Sequence, residues 1–278
     1  MMTEAFGMPE TAVSTTEQRR EAKRLAWHCF FEQGRCLTLI GATILPAILF
    51  MALQGIYSML YYALYTPAED AGRMVILHVA NALTVILVIP LLSGVSYVAT
   101  GIAAGEERHM RDVLYAYSSV SAYFRAWCSI LLPALTLASV VGIALVVFEM
   151  AEGLISIAAA AGLEDVYGYL FAVGGWLVAL LVLAVGLLIS GYIVPFFWLV
   201  PSCPHQPLGI LFLRSLSLTH KRLWGWMLLH LSLIGWLLLS AATVGILLVL
   251  FAAPYYLLTV SFYIGRESAR LPSLDDEI

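Results

Sequence analysis

LWGWMLLHLSLIGWLLLSAATVGILLVLFAAPYYLLTVSFYIG, residues 223–265, contains no Asp, Glu, Lys or Arg. Lys221 and Arg222 stand before it and Arg266 closes it. About 20 apolar residues already cross a bilayer as helix, so this run exceeds any soluble core element. The small and polar residues from Ser240 to Gly245 divide it into two crossings, 224–240 and 245–264, with Pro254 bending the second.

The rest of the chain agrees with that reading. Hydrophobic residues make up 62% of the 278 and charged residues 12%, against roughly 25% charged in soluble domains. Mean hydropathy is +0.91. A net charge of −4 argues against a nucleic-acid binder, which would show a basic patch or stripe. The first apolar run begins only at Cys36, too late for a cleavable leader, so the first membrane helix is expected to be retained. Cys29, Cys36, Cys128 and Cys203 have no metal-type or redox spacing and read as packed thiols.

Working outward, residues 1–14 lack apolar period and read as a disordered tail. Residues 15–268 form one membrane domain and 269–278 a polar, acidic-ended tail. Ser14 and Glu17 have capping-box spacing, so a helix starts there. It is basic and amphipathic: Ala22, Leu25, Ala26 and Cys29 share one face, and Arg20, Lys23, Arg24 and Trp27 another, as in a helix lying on a membrane surface. Crossings follow at 37–64, 74–104, 127–148 and 167–198. Thr66 to Gly72 is a turn, and Gly153 to Gly162 is too short to span and is expected to lie at the outer interface. Between crossings, Val113, Ala116, Tyr117, Val120 and Phe124 recur at helical spacing, and 208–222 is amphipathic with Arg214, Ser217 and Lys221 facing one way.

Positive charge orients the whole. Arg19, Arg20, Lys23, Arg24 and Arg35 precede the first crossing. Arg108, Arg111 and Arg125 lie in one connecting loop, Arg214, Lys221 and Arg222 in another, and Arg266 and Arg270 in the tail. The opposite loops hold Arg73 among Glu69, Asp70, Glu149, Glu152, Glu164 and Asp165. Both termini are therefore expected in the cytoplasm, with an even number of crossings. Trp127, Trp198, Trp224 and Trp226 fall at the cytoplasmic boundary as an aromatic belt. The expected architecture is all-α: six transmembrane helices with cytoplasmic amphipathic interfacial helices. Basic amphipathic element, crossing, turn, crossing recurs from near residues 18, 109 and 208, a candidate threefold hairpin repeat with Pro90, Pro195 and Pro254 in the second helices. Basic cytoplasmic loops alone would give part of that pattern.

Ser232, Gly235 and Trp236, then Thr243 and Gly245, Pro254 and Tyr255, and Phe262 and Tyr263 resemble the C-terminal signature of a bacterial integral-membrane family, one known as a domain of unknown function. Arg214-Ser215 before Lys221, Ala22-Lys23 with Leu25, and Gly94 with Tyr97 resemble the same family more loosely. The resemblance implies a multi-pass protein of the bacterial inner membrane, and neither an activity nor catalytic residues. The same signature also reads as packing: glycines for close approach, Trp236 as a filler between helices, tyrosines hydrogen-bonded within a bundle.

Polar groups inside the crossings are few: His78, Asn81 and His230. They are the candidates for a cavity or substrate site. His78 also reads as an interfacial residue, Asn81 as an interhelical hydrogen bond and His230 as an imidazole satisfied by a neighbouring helix. No HExxH, carboxylate pair, phosphate loop or nucleophile triad occurs in the crossings, so no metal, cofactor or enzymatic activity is expected. Beside a membrane enzyme using His230, which would need a second titratable group within hydrogen-bond reach of it, two classes of function remain. One is a non-enzymatic protein that organises the envelope or regulates a membrane-protein partner or a second copy of itself. The other is a transporter or lipid-handling protein with a cavity between hairpins. Membrane lipids are the expected surroundings, and nucleic acid is not an expected partner.

Overall fold

The computed structural model describes residues 15–32, 34–63, 70–160, 162, 169–220, 223–243 and 247–269. The N-terminal tail, Ser14, Gly245, Lys221, Arg222, most of the turn after the first crossing and the Glu164–Asp165 pair lie outside them. The described residues are helical and contain no strand. Helix α1 spans Thr15–Trp27 and ends in a π turn, His28–Glu32. Then come α2, Cys36–Ala63, and α3, Asp70–Ala103. A 3₁₀ helix, Met110–Tyr117, precedes α4, Val120–Ala160. Next are α5, Tyr169–Ser202, α6, Leu208–His220, and α7, Leu223–Ala242. A second π turn, Leu248–Ala252, leads into α8, Ala253–Ala269.

Five helices are long and apolar enough to cross a membrane: Cys36–Leu60, His78–Ala103, Val120–Ile157, Val173–Ser202 and Leu248–Glu267. Helix α7 is also apolar, with Leu223–Leu233 as its described apolar stretch. Of these windows, 50% of that in α3 and 61% of that in α8 is buried, against 17% in α2, 13% in α5 and 6% in α4. Helices α3 and α8 are thus the inner pillars, and α4 and α5 pack chiefly on each other. The core gathers at one end of the bundle, where Leu91, Val98, Leu199, Val200, Leu229 and Leu258 are fully enclosed.

Helix α3 stops in a Schellman motif. The Gly105 N–H bonds Ile102 O at 3.0 Å and the Glu106 N–H bonds Gly101 O at 2.9 Å, with Gly105 at φ +81°. That left-handed residue favours glycine because it has no Cβ to clash. The chain then doubles back along α3. Arg108 lies over Gly101 and Val113 over Gly94, where an added Cβ would stand 1.8 Å from Val113 O. Only glycine permits that approach.

Two expectations are corrected. The apolar spacing over 113–124 does not mark one helix. Val113 and Ala116 are buried on a 3₁₀ segment, whose three-residue turn puts i and i+3 on one line. Ser118 and Ser119 break it, and the Ala122 N–H bonds Ser119 Oγ at 3.1 Å, capping a new helix on which Val120 and Phe124 are exposed. Nor is Gly153–Ala160 a separate outer piece: α4 runs through Glu149, Glu152 and Gly153 without a break. Glutamate ends a membrane crossing readily but is a good helix former, so the helix continues past the apolar run.

The amphipathic face of α1 that carries Ala22, Ala26 and Cys29 is the face buried against α8. Arg266 holds Glu21 by two bonds, at 2.6 and 2.5 Å. Helix α6 likewise doubles back along α5, with Phe196 and Phe212 ring to ring at 6.1 Å. All three amphipathic segments therefore run antiparallel to a second helix of a hairpin: α1 on α8, the 3₁₀ helix on α3, and α6 on α5.

Candidate functional site

A proline inside a helix lacks an N–H, so the carbonyl four residues earlier has no helical donor, and the displaced ring loosens the one three residues earlier. In a bilayer core a bare carbonyl costs several kcal/mol, and another element must supply a donor. This chain does so repeatedly with hydroxyls. Pro90 frees Ile86 O, which accepts from Tyr123 Oη at 3.0 Å, and beside it Leu87 O accepts from Tyr117 Oη. At Pro195, Tyr192 O accepts from Ser215 Oγ of α6 at 2.8 Å. At Pro201, Trp198 O accepts from Ser202 Oγ at 2.6 Å, while Ser96 Oγ of α3 lies 3.5 Å from Phe197 O. Before Pro254 the helix widens into the π turn, and Thr43 Oγ1 of α2 lies 3.4 Å from Val249 O. These hydroxyls escape a motif search because their partners are backbone.

A second polar group ties the loop ends. The Arg108 guanidinium stands 3.9 Å above the Tyr97 ring, which stacks on Tyr115 at 4.2 Å. Arg125 donates to Gln206 O at 2.8 Å and Cys203 O at 2.9 Å. It thereby neutralises the partial negative charge at the end of α5. Burial pushes the Tyr115 phenol up, with Arg125 pulling against it. The Cys203 thiol is also raised by burial, against Arg214 and Arg125.

The expected site residues are spread over the bundle. His230 sits between Trp226, at 4.6 Å, and Tyr256, at 5.6 Å between ring centroids. Its Nδ1 is 2.9 Å from Trp226 O. A carbonyl only accepts, so Nδ1 carries the proton and Nε2 is left as an acceptor. His230 Nε2 and Trp198 Nε1, both buried, have no partner among the described residues. Trp198 flanks the same Trp226 and Tyr256 rings. A small cleft beside this cluster, lined by Pro195, Thr219, Trp226, Tyr263 and Glu267, has a volume of about 10 Å³, room for one water.

Asn81 is exposed in the N-terminal half of α3 and accepts from Gln54 Nε2 of α2 at 2.9 Å. His78 is exposed one turn away. The Gln54–Asn81 pair joins α2 and α3, a different hairpin from the one that carries His230 and Tyr256. Of the signature residues, Ser232 and Thr243 return their hydroxyls to their own helix, at Leu229 O and Ser240 O. Among the described residues, nothing lies within 4 Å of where a Cβ on Gly235 would be. Trp236 packs on Phe251 at 4.7 Å, and Pro254, Tyr255, Phe262 and Tyr263 are buried in α8. Tyr255 Oη reaches Lys23 O at 3.4 Å, so part of the signature meets the N-terminal helix. Among the described residues no three His, Cys, Asp or Glu cluster as metal ligands. Comparison with protein-family models, curated proteins and solved structures finds no match.

Proposed function

We propose that this chain is a non-enzymatic, six-crossing protein of a bacterial inner membrane that acts through its surfaces. It organises the envelope or regulates a partner membrane protein through α1, the 3₁₀ helix and α6. The observation that carries this reading is the filled interior around His230. Trp198, Trp226 and Tyr256 occupy the space a solute would need, and the adjoining cleft admits about one water. The transport alternative draws no support from His230 and Asn81, whose contacts lie in separate hairpins.

The sixth crossing is α7, whose 20 residues give about 30 Å of helix, one bilayer core. With six crossings, both termini and the arginine-bearing loops share the cytoplasmic side. The three fold-back contacts support a threefold repeat of hairpins closed into a ring, each amphipathic segment bracing the second helix of the unit before it. The hydroxyls at Pro90, Pro195 and Pro254 support it too.

Site-specific photo-crosslinking in cells tests the functional reading. Probes at Leu213 and Trp224, both exposed, are expected to give discrete protein adducts that a probe at enclosed Leu211 does not. Absence of adducts, together with His230-dependent solute flux in proteoliposomes, overturns it in favour of transport.

A further inference from the structure

We propose that the outward face of α1 binds anionic phospholipid headgroups, through Arg20, Arg24, Trp27 and Phe31. This goes beyond the surface role above and rests on it only for the leaflet, the cytoplasmic one. The spacing of four, three and four residues keeps these side chains on one line of a helix. Docking on α8 decides which way that line points, because Gln18, Ala22, Ala26, Cys29 and Phe30 are buried on the other side. Arg20 and Arg24 are exposed. Trp27 is 47% and Phe31 49% exposed, and Leu37, at the start of α2, 77%. The line therefore descends from two guanidiniums through two aromatic rings to an apolar helix start. That order matches phosphate, interface and acyl chains across a leaflet surface.

Charge selects the headgroup. Of the acids in α1, Glu21 is held by Arg266 and Glu17 stands one turn before Arg20, while Arg19 donates to Thr16 Oγ1. Two guanidiniums one turn apart, with no carboxylate bonded to either among the described residues, make a cationic pair. Planar guanidinium forks match a phosphodiester. A zwitterionic headgroup would bring a second cation to that pair, and an anionic one brings none.

The test uses the full-length protein in micelles, titrated with phosphatidylglycerol or phosphatidylcholine. Retained lipid is counted by native mass spectrometry and thermal unfolding is followed in parallel. Phosphatidylglycerol is expected to be retained and to raise Tm, and phosphatidylcholine is not. Arg20→Gln with Arg24→Gln should weaken phosphatidylglycerol retention about 30-fold, while Arg20→Lys with Arg24→Lys keeps most of it. Equal retention of both lipids, or undiminished phosphatidylglycerol retention by the Gln pair, overturns the proposal. Should the Gln pair unfold, Trp27→Leu with Phe31→Leu serves in its place and must lower retention. None of these readouts depends on the partner crosslinks above, so either reading can fail alone.

Discussion

Pro90 removes one N–H and thereby assigns work to Tyr117 and Tyr123, two residues with no sequence signature of their own. The assignment can be measured. Tyr123→Phe is expected to lower stability by about 1–2 kcal/mol, the cost of a carbonyl left without a donor. In a Pro90→Ala background the helix supplies its own donor to Ile86 O, and the same change should cost close to nothing. Thermal unfolding of the four proteins in micelles gives the cycle, and additive losses would refute the pairing. His230 yields a second test. Its Nε2 is buried without a partner among the described residues, so His230→Phe removes an unsatisfied polar atom while keeping a ring. Stability is expected to stay level or rise by up to about 1 kcal/mol, whereas a residue needed for flux would instead lose function. Gly94 and Gly142 complete the contrast. Gly94→Ala drives a methyl into Val113 O and should cost about 3 kcal/mol. Gly142→Ala meets nothing within 4 Å and should gain about 0.5–1 kcal/mol from helix propensity. Equal Tm shifts at the two positions would contradict the packing described.

At the scale of elements, the three fold-back segments are where pH enters. Burial raises the thiol of Cys29 in the first π turn, with Arg35 opposing, and the thiol of Cys203 after α5. Burial also raises the phenols of Tyr115 and Tyr117 on the 3₁₀ helix. Each group keeps its proton to higher pH in the folded chain than in the unfolded one. The stability they confer is complete below the unfolded values, about 8.5 for Cys and 10 for Tyr. It is lost as pH rises through the folded ones, because the native state then binds the extra protons. Tm is thus expected to fall above about pH 8.5, and Cys29→Ser with Cys203→Ser should delay the fall. Maleimide labelling of those two thiols should be slow at pH 7 and quicken with pH. The α1–α8 clasp is separable from this. Glu21→Gln weakens two charge-assisted bonds and should cost about 1.5 kcal/mol, read as faster hydrogen exchange in α1 than in α3.

For the whole molecule, helix lengths set a topological expectation. The apolar part of α4, Val120–Ile157, has 38 residues, about 57 Å of helix against a hydrocarbon core of about 30 Å. Tilt absorbs part of the excess. On the proposed topology the remainder carries the α4–α5 hairpin, where Phe148 packs on Trp176 at 4.8 Å and Ala151 on Gly175, past the outer surface. Ile157→Cys should therefore be labelled by an impermeant maleimide added to intact cells, and Leu135→Cys should not. A fluorescent protein fused after Ile278 should fold and fluoresce on the cytoplasmic side. An unlabelled Ile157→Cys would place the end of the hairpin within the membrane.

Much of this architecture is legible in the sequence because its causes are local. An apolar run between charges makes a long helix wherever it lies, as α2, α3 and α5 do. The same holds for the apolar face of α1 and for the prolines that interrupt helices. What periodicity missed is equally physical. The 113–124 spacing crosses a helix break, and a 3.6-residue reading has no means of seeing a three-residue turn. Glutamates that end an apolar run do not end α4. The partners of the freed carbonyls lie 23 to 37 residues away in Ser215, Tyr117 and Tyr123, and backbone acceptors leave no mark on composition. By itself, then, the sequence determined that this chain is helical and apolar enough for a membrane, where its long helices run and where they are broken. Only the tertiary structure decided which helices stand inside, which hydroxyl answers which proline and which face of α1 is left uncovered. Those outcomes depend on close approaches at Gly94, Gly175 and Gly186 between segments far apart in the chain, and contacts of that range carry no sequence period.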